Sequence, residues 1–348
     1  MLKSPFSWFG GKLPIADKVW NAIGDVPNYV EPFFGSGAVF LNRPTPHKTS
    51  TINDKDGYVC NFWRAIQSDP EAVAGIADYP VIENDLHARH AWLLARKSDL
   101  VARLEGDPTY YDVRIAAWWC WGLCCWIGSG WCAGGGPWRI VGEELIRLDG
   151  NNKGVSRQLP NIAAGGKGIF SQHGGLSNGE NKWINRKRPH IASGGKGIFS
   201  QHGGLTSWFN LLANKFRKTR ICCGDWDRIC GPSPTFKIGL TGVFLDPPYS
   251  HSMRDSGLYA VETDCSRDVL EWCKENGNNP LLRIVLAGYE GEHNELESLG
   301  WKVESWKAGG GYARQSKKKE NTNRNLERLW FSPHCLNASK AIRLDFAG

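Results

Sequence analysis

Residues 243 to 249, Val-Phe-Leu-Asp-Pro-Pro-Tyr, carry the chemistry around which this chain is organised. Three apolar residues running into an acid, two prolines and an aromatic predict a buried strand that stops abruptly at its carboxyl end. The prolines fix φ and remove backbone donors, so the carbonyls beside Asp246 and Pro247 cannot be absorbed into a helix. A carboxylate, a free carbonyl and an aromatic face within four residues suit a flat heterocycle carrying an exocyclic NH2. Asp246 and the Pro247 carbonyl can each accept one amine hydrogen, while Tyr249 after Pro248 stacks on the ring. The plainer reading is a strand end followed by an X-Pro-Pro turn, so the rest of the chain has to decide.

Other stretches supply groups that could hold a second ligand. Residues 6 to 12, Phe-Ser-Trp-Phe-Gly-Gly-Lys, place Trp8 and Lys12 around a glycine pair, a setting for the carboxylate of a small zwitterion. Glu31-Pro-Phe-Phe-Gly-Ser-Gly37 reads as a strand end, a glycine turn and the start of a helix. Gly35 and Gly37 let the backbone pass close to a ligand, and the helix would offer its positive amino end. Phe40 stands where a dinucleotide fingerprint wants Gly or Ala, which counts against a nicotinamide or flavin enzyme. A second strand over 49–53 ends on Asp54, where a nucleoside-binding α/β unit keeps an acid for ribose hydroxyls.

The elements that must position these groups alternate between strand and helix. Helical periodicity covers 14–23, 61–68, 84–104, 110–126 and 263–275. Residues 281–289 read as a buried strand, 300–306 as an edge strand, and 325–331 as a final strand pairing with it. The pattern predicts an α/β fold whose sheet is mostly parallel with an antiparallel edge. Trp118, Trp119, Trp121 and Trp126 are assigned mostly to core. The 348 residues include 41% hydrophobic ones, enough for a substantial core. Eleven cysteines show no C-x-x-C pair and no repeated zinc-ligand spacing, so they read as reduced, mostly buried thiols, with no metal site. The lack of a long apolar run or a signal-like amino terminus predicts a soluble intracellular, cytoplasmic protein with no membrane contact.

The charge is uneven. Between 151 and 220 there are twelve Lys and Arg against one acid, Glu180, while the remaining residues carry 30 basic and 34 acidic side chains. A polyanion is expected against that segment. Inside it, residues 160–176 recur at 189–205, an offset of 29, with Arg157 matching Arg186 upstream. Glycine-rich basic units of this kind suit a phosphate backbone, with Arg157, Lys167, Arg186, Lys187, Arg188 and Lys196 as candidate contacts.

The order of these motifs resembles the Dam-type family of adenine-N6 DNA methyltransferases: the Trp8 to Lys12 motif, the Glu31 to Gly37 turn, Asp54, a divergent middle, then Asp246-Pro-Pro-Tyr249. The resemblance implies a Rossmann-like class I methyltransferase sheet. Residues 1–66 and 221–348 would form the catalytic domain, and 67–220 an inserted target-recognition region. It implies S-adenosylmethionine as cofactor and no metal. Trp8 and Lys12 would lie at its methionine end, Glu31 and Phe33, Phe34, Gly35 and Gly37 around it, and Asp54 on its ribose. Double-stranded DNA is the implied partner, with the target base flipped out, a setting in which restriction-modification pairing is common; no obligate protein partner is evident. A methyltransferase for cytosine N4 or a glutamine amide, and a non-catalytic DNA-binding protein, are the competing expectations.

Overall fold

A computed structural model describes residues 2–6, 8, 11–46, 48–126, 131–132, 138–141, 144–147, 204–248, 265–306 and 327–336. Its centre is a seven-stranded sheet of β1 (Asn28–Glu31), β2 (Thr49–Asp54), β5 (Thr219–Cys223), β6 (Thr241–Leu245), β7 (Leu282–Tyr289), β8 (Lys302–Ser305) and β9 (Glu327–Phe331). The strand order is β5-β2-β1-β6-β7-β9-β8. The first five strands run parallel. β9 is antiparallel to both β7 and β8, so the expected pairing of the last two strands is present, and β8 forms the edge. The remaining strands, β3 (Trp138–Val141) and β4 (Glu144–Arg147), make a separate antiparallel hairpin.

β6 lies between β1 and β7 with every residue buried, which explains its unbroken apolar run. The order reverses at β1, with β2 on one side and β6 on the other. A crevice therefore opens above the carboxyl ends of these strands. α1 (Ala16–Ile23) buries Val19, Trp20 and Ile23 against the sheet and ends at Gly24, whose N–H bonds the Trp20 carbonyl. α2 (Ala38–Leu41) is one turn long. The amino-end dipole expected after the glycine turn is correspondingly small.

α3 (Gly57–Ser68) starts on an Asp56 side-chain cap, α4 (Pro70–Ala77) on Asp69 with a proline at its first position, and α7 (Val113–Cys125) on Asp112. The helix expected over 84–104 is two helices, α5 (Glu83–Leu94) and α6 (Lys97–Gly106). No residue between 94 and 98 is a helix breaker. The bend is tertiary: α6 turns so that Val101 and Leu104 close on Gly57 at the start of α3. α8 (Leu205–Phe216) packs on α3 and α4 and leads into β5, and α9 (Ser266–Asn276) lies on the face of β6 and β7. Periodicity announces neither α4 nor α8 nor β5.

Trp119 and Trp121 are fully buried, as expected for α7, and with Phe6, Phe34, Phe62, Trp63 and Phe216 they build an aromatic core beneath the crevice. All eleven cysteines are free and none is exposed. Among the described residues no helix is long and apolar enough to cross a membrane.

Candidate active site

The crevice holds a cavity of about 370 Å³, within the range of small-molecule sites. Trp8, Lys12, Glu31, Phe33, Gly35, Asp54, Asp246 and Pro248 all line it. Residues far apart in the sequence are brought together because β6 hydrogen-bonds β1, placing Asp246 next to the turn that follows Glu31.

The turn is held from three sides. Gly35 has φ +48°, and a Cβ there would come within 2.6 Å of the Trp8 indole, so no side chain fits. Its N–H donates to Asp54 Oδ2 at 2.8 Å, and its carbonyl accepts from Trp63 Nε1 at 3.0 Å. Asp54 Oδ1 accepts from the Asp56 N–H at 2.9 Å. Asp54 thus joins the glycine turn to the β2–α3 turn, while the cap of α3 is Asp56, which accepts from the Tyr58 N–H. The Lys55 backbone also bonds this carboxylate, so three backbone donors engage it and one lone pair remains for a ligand.

Phe34 also lines the cavity, while Gly37 does not. The Phe34 ring points into the core, edge-on to Phe40, Trp63 and Phe216, and its tip fills the space that a Gly37 Cβ would need. Gly37 shapes the turn from behind, at φ +65°. Phe33 turns outward and stacks on Trp226 at 6.1 Å.

Asp246 makes the contact that the sequence does not display. Its Oδ1 lies 2.8 Å from Lys12 Nζ, in a pair whose side chains are 21% and 6% exposed respectively. Burial raises the Asp246 carboxyl above the usual range, and Lys12 opposes that rise. Glu31 is buried and accepts from the Tyr29 hydroxyl at 2.8 Å; burial pushes its carboxyl well up. Burial, with Asp56 beside it, pushes Asp54 up to about 7.

The cavity also takes in groups missed in the sequence: Asp225, Trp226 and Asp227 after β5, Phe244 on β6, and Cys265 and Asp268 at the start of α9. The available signal was an acid directly after a strand, as at Asp54, but β5 itself went unrecognised. Pro247 is not part of the cavity wall. Tyr249 and the candidate contacts Arg157, Lys167, Arg186, Lys187, Arg188 and Lys196 lie outside the described residues.

A raised Asp54 carboxyl has a consequence for stability. Unfolded aspartate titrates near ~3.9, so between about pH 4 and about pH 7 the folded form binds this proton and the unfolded chain does not. The stability contributed by Asp54 is full below that window and is lost as pH rises through it. Urea unfolding of ligand-free protein at pH 5 and pH 8 should show a fall that is smaller in Asp54→Asn; an equal fall in both proteins would assign the effect to other groups.

A seven-stranded, mostly parallel sheet with an antiparallel strand near one edge and an acidic crevice at its switch point is a Rossmann-like methyltransferase fold. Residues 8–105 match the family described as D12 class N6 adenine-specific DNA methyltransferase. A DNA N-6-adenine-methyltransferase of Escherichia phage P1 is 28% identical over 95 residues, covering 26% of this chain and 12% of that protein. The resemblance drawn from the motifs is borne out over this segment, which holds the glycine turn, Asp54 and α3.

Proposed function

We propose that this protein transfers a methyl group from S-adenosylmethionine to N6 of an adenine flipped out of double-stranded DNA. The observation that carries the reading is the placement of Asp246, at the carboxyl end of β6, in one cavity with Asp54, Glu31 and the Gly35 turn. Seven carboxyl groups, those of Glu31, Asp54, Asp56, Asp225, Asp227, Asp246 and Asp268, line that cavity against two lysines, Lys12 and Lys55. Such a donor set repels a pyrophosphate and favours a ligand bearing a sulfonium and an ammonium group. Asp54 offers its remaining lone pair to a ribose hydroxyl, while Phe33 and Trp226 offer flat faces for a purine.

When bound, the cofactor supplies an electrophilic methyl group on sulfur. The chain's own task is to make a poor nucleophile attack it, because the adenine amine lone pair is delocalised into the ring. Asp246 Oδ2 and the Pro247 carbonyl accept the two amine hydrogens, which favours a pyramidal nitrogen with its lone pair directed in line. N6 is inaccessible inside a duplex, so the base is extruded, and Tyr249 stacks on it.

For DNA we assign the contact to the basic stretch of the 67–220 region, whose helices α4, α7 and α8 also pack on α3 of the catalytic core. Four of the twelve cations there belong to other work. Lys215 donates to the Arg43 carbonyl, Arg217 and Lys218 occupy the turn from α8 into β5, and Arg220 lies on β5 near the end of the sheet opposite the cavity. The eight cations from Lys153 to Lys196 are left for phosphates. Replacing Arg186, Lys187 and Arg188 together with Ala should weaken binding to all duplexes alike and flatten its salt dependence by about 2–3 in logarithmic slope. An unchanged slope would move the contact elsewhere.

The reading is tested by incubating purified protein with labelled S-adenosylmethionine and duplex DNA, then digesting the product to nucleosides. Label in N6-methyladenine is the expected result. Label in N4-methylcytosine, or none in DNA, would overturn it.

A further inference from the structure

We propose that Lys12 is a positioning residue for Asp246: it occupies one carboxylate oxygen and fixes the orientation of the other toward the substrate amine. The inference rests on the reading of Asp246 as the acceptor for that amine. It replaces the expected role of Lys12, which was to bind the carboxylate at the methionine end of the cofactor.

The geometry carries it. Lys12 is 5% exposed, so its ammonium is bound by protein contacts rather than spread through solvent. Its Nζ lies 2.8 Å from Asp246 Oδ1 and 5.8 Å from the centre of the Trp306 ring, just after β8. The ammonium is held between a carboxylate and an aromatic face, both of which attract a cation. With Oδ1 engaged by a charged donor, Oδ2 is the oxygen available to an incoming amine.

Electrostatics explains why such a partner is needed. Asp246 in turn helps push up the buried Glu31 carboxyl on β1, and Asp54 and Asp56 line the same cavity at and just after the end of β2. Across the cavity stand Asp225 and Asp227 after β5, and Cys265 and Asp268 at the start of α9. The other cavity lysine, Lys55, is engaged by Asp225 at 2.5 Å. Burial favours a protonated Asp246, and a protonated carboxyl loses the acceptor strength that the transition state requires. Lys12 is the cation in direct contact that opposes this.

The two roles for Lys12 separate experimentally. In Lys12→Gln, with Lys12→Arg as the charge-preserving variant, three quantities are measured: the cofactor dissociation constant by calorimetry, single-turnover methylation against pH, and titration of the Asp246 carboxyl by carbon-13 NMR in ligand-free protein. The NMR signal is assigned by its absence in Asp246→Asn. Positioning predicts that Lys12→Gln moves the Asp246 titration and the acid limb of the rate profile upward together, with a rate loss of about tenfold or more at pH 7 and a dissociation constant within about threefold of the parent. Lys12→Arg should return both titrations toward the parent. A dissociation constant raised tenfold or more with the Asp246 titration unmoved would overturn the proposal in favour of cofactor binding. Because the NMR titration needs neither DNA nor turnover, a parent protein inactive on DNA would defeat the functional reading while leaving the Lys12 contact separately decided.

Discussion

Asp246→Asn should fold, bind cofactor and lose methyl transfer by about 10²-fold or more, the range typical of a group aligned for a transition state. Asn keeps the shape of the side chain but replaces a carboxylate oxygen with an NH2 donor, which meets the adenine amine donor to donor. The more drastic Asp246→Ala should lose as much activity and also some stability. Lys12, 5% exposed, loses its 2.8 Å contact with the carboxylate, and a hydrogen bond to a charged group contributes about 1.5–3 kcal/mol. Single-turnover rates and urea unfolding of both variants distinguish the two effects. Parent-like rates in Asp246→Asn would remove Asp246 from the mechanism altogether.

The outcome at Asp246 bears on how much of the site could be read from the sequence. The end of β6 was legible because its signals are local: an all-apolar run, then an acid, then two prolines. Asp54 at the end of β2 was legible for the same reason, as was the turn through Gly35. The Lys12 to Asp246 pair was not, since it joins residues far apart in the sequence that meet only in the folded sheet, where β6 pairs with β1. Phe34 shows the limit at close range: two successive aromatics, Phe33 and Phe34, both line the cavity, and only the backbone conformation decides that one ring stacks on Trp226 while the other packs into the core on Trp63. β5 escaped notice because Thr-Arg-Ile-Cys-Cys is short, half polar and directly follows a helix, and with it went Asp225 and Trp226. The split between α5 and α6 went unseen because packing on Gly57 imposes it, with no breaker residue to announce it.

Trp63 joins the aromatic core to the cofactor turn, and its loss should destabilise the fold more than loss of Lys12, Asp54 or Asp246. The indole is fully buried, stacks on Phe216 at 4.7 Å and lies edge-on to Phe34 and Phe62. Trp63→Ala should therefore cost about 3–5 kcal/mol, the range for emptying a large aromatic from a packed core. It should appear as a lower urea midpoint with little change in slope. The same residue donates from Nε1 to the Gly35 carbonyl at 3.0 Å, at the turn whose N–H is held by Asp54. Trp63→Phe separates these roles: it refills much of the space but has no donor, leaving a buried carbonyl unpaired at a cost of about 1–3 kcal/mol. If the hydrogen bond fixes the turn, Trp63→Phe should weaken S-adenosylmethionine binding several-fold while keeping most of the stability that Trp63→Ala loses. Cofactor affinity equal to the parent in Trp63→Phe would show that packing alone sets the position of Gly35, and that the indole N–H serves only to satisfy a buried carbonyl.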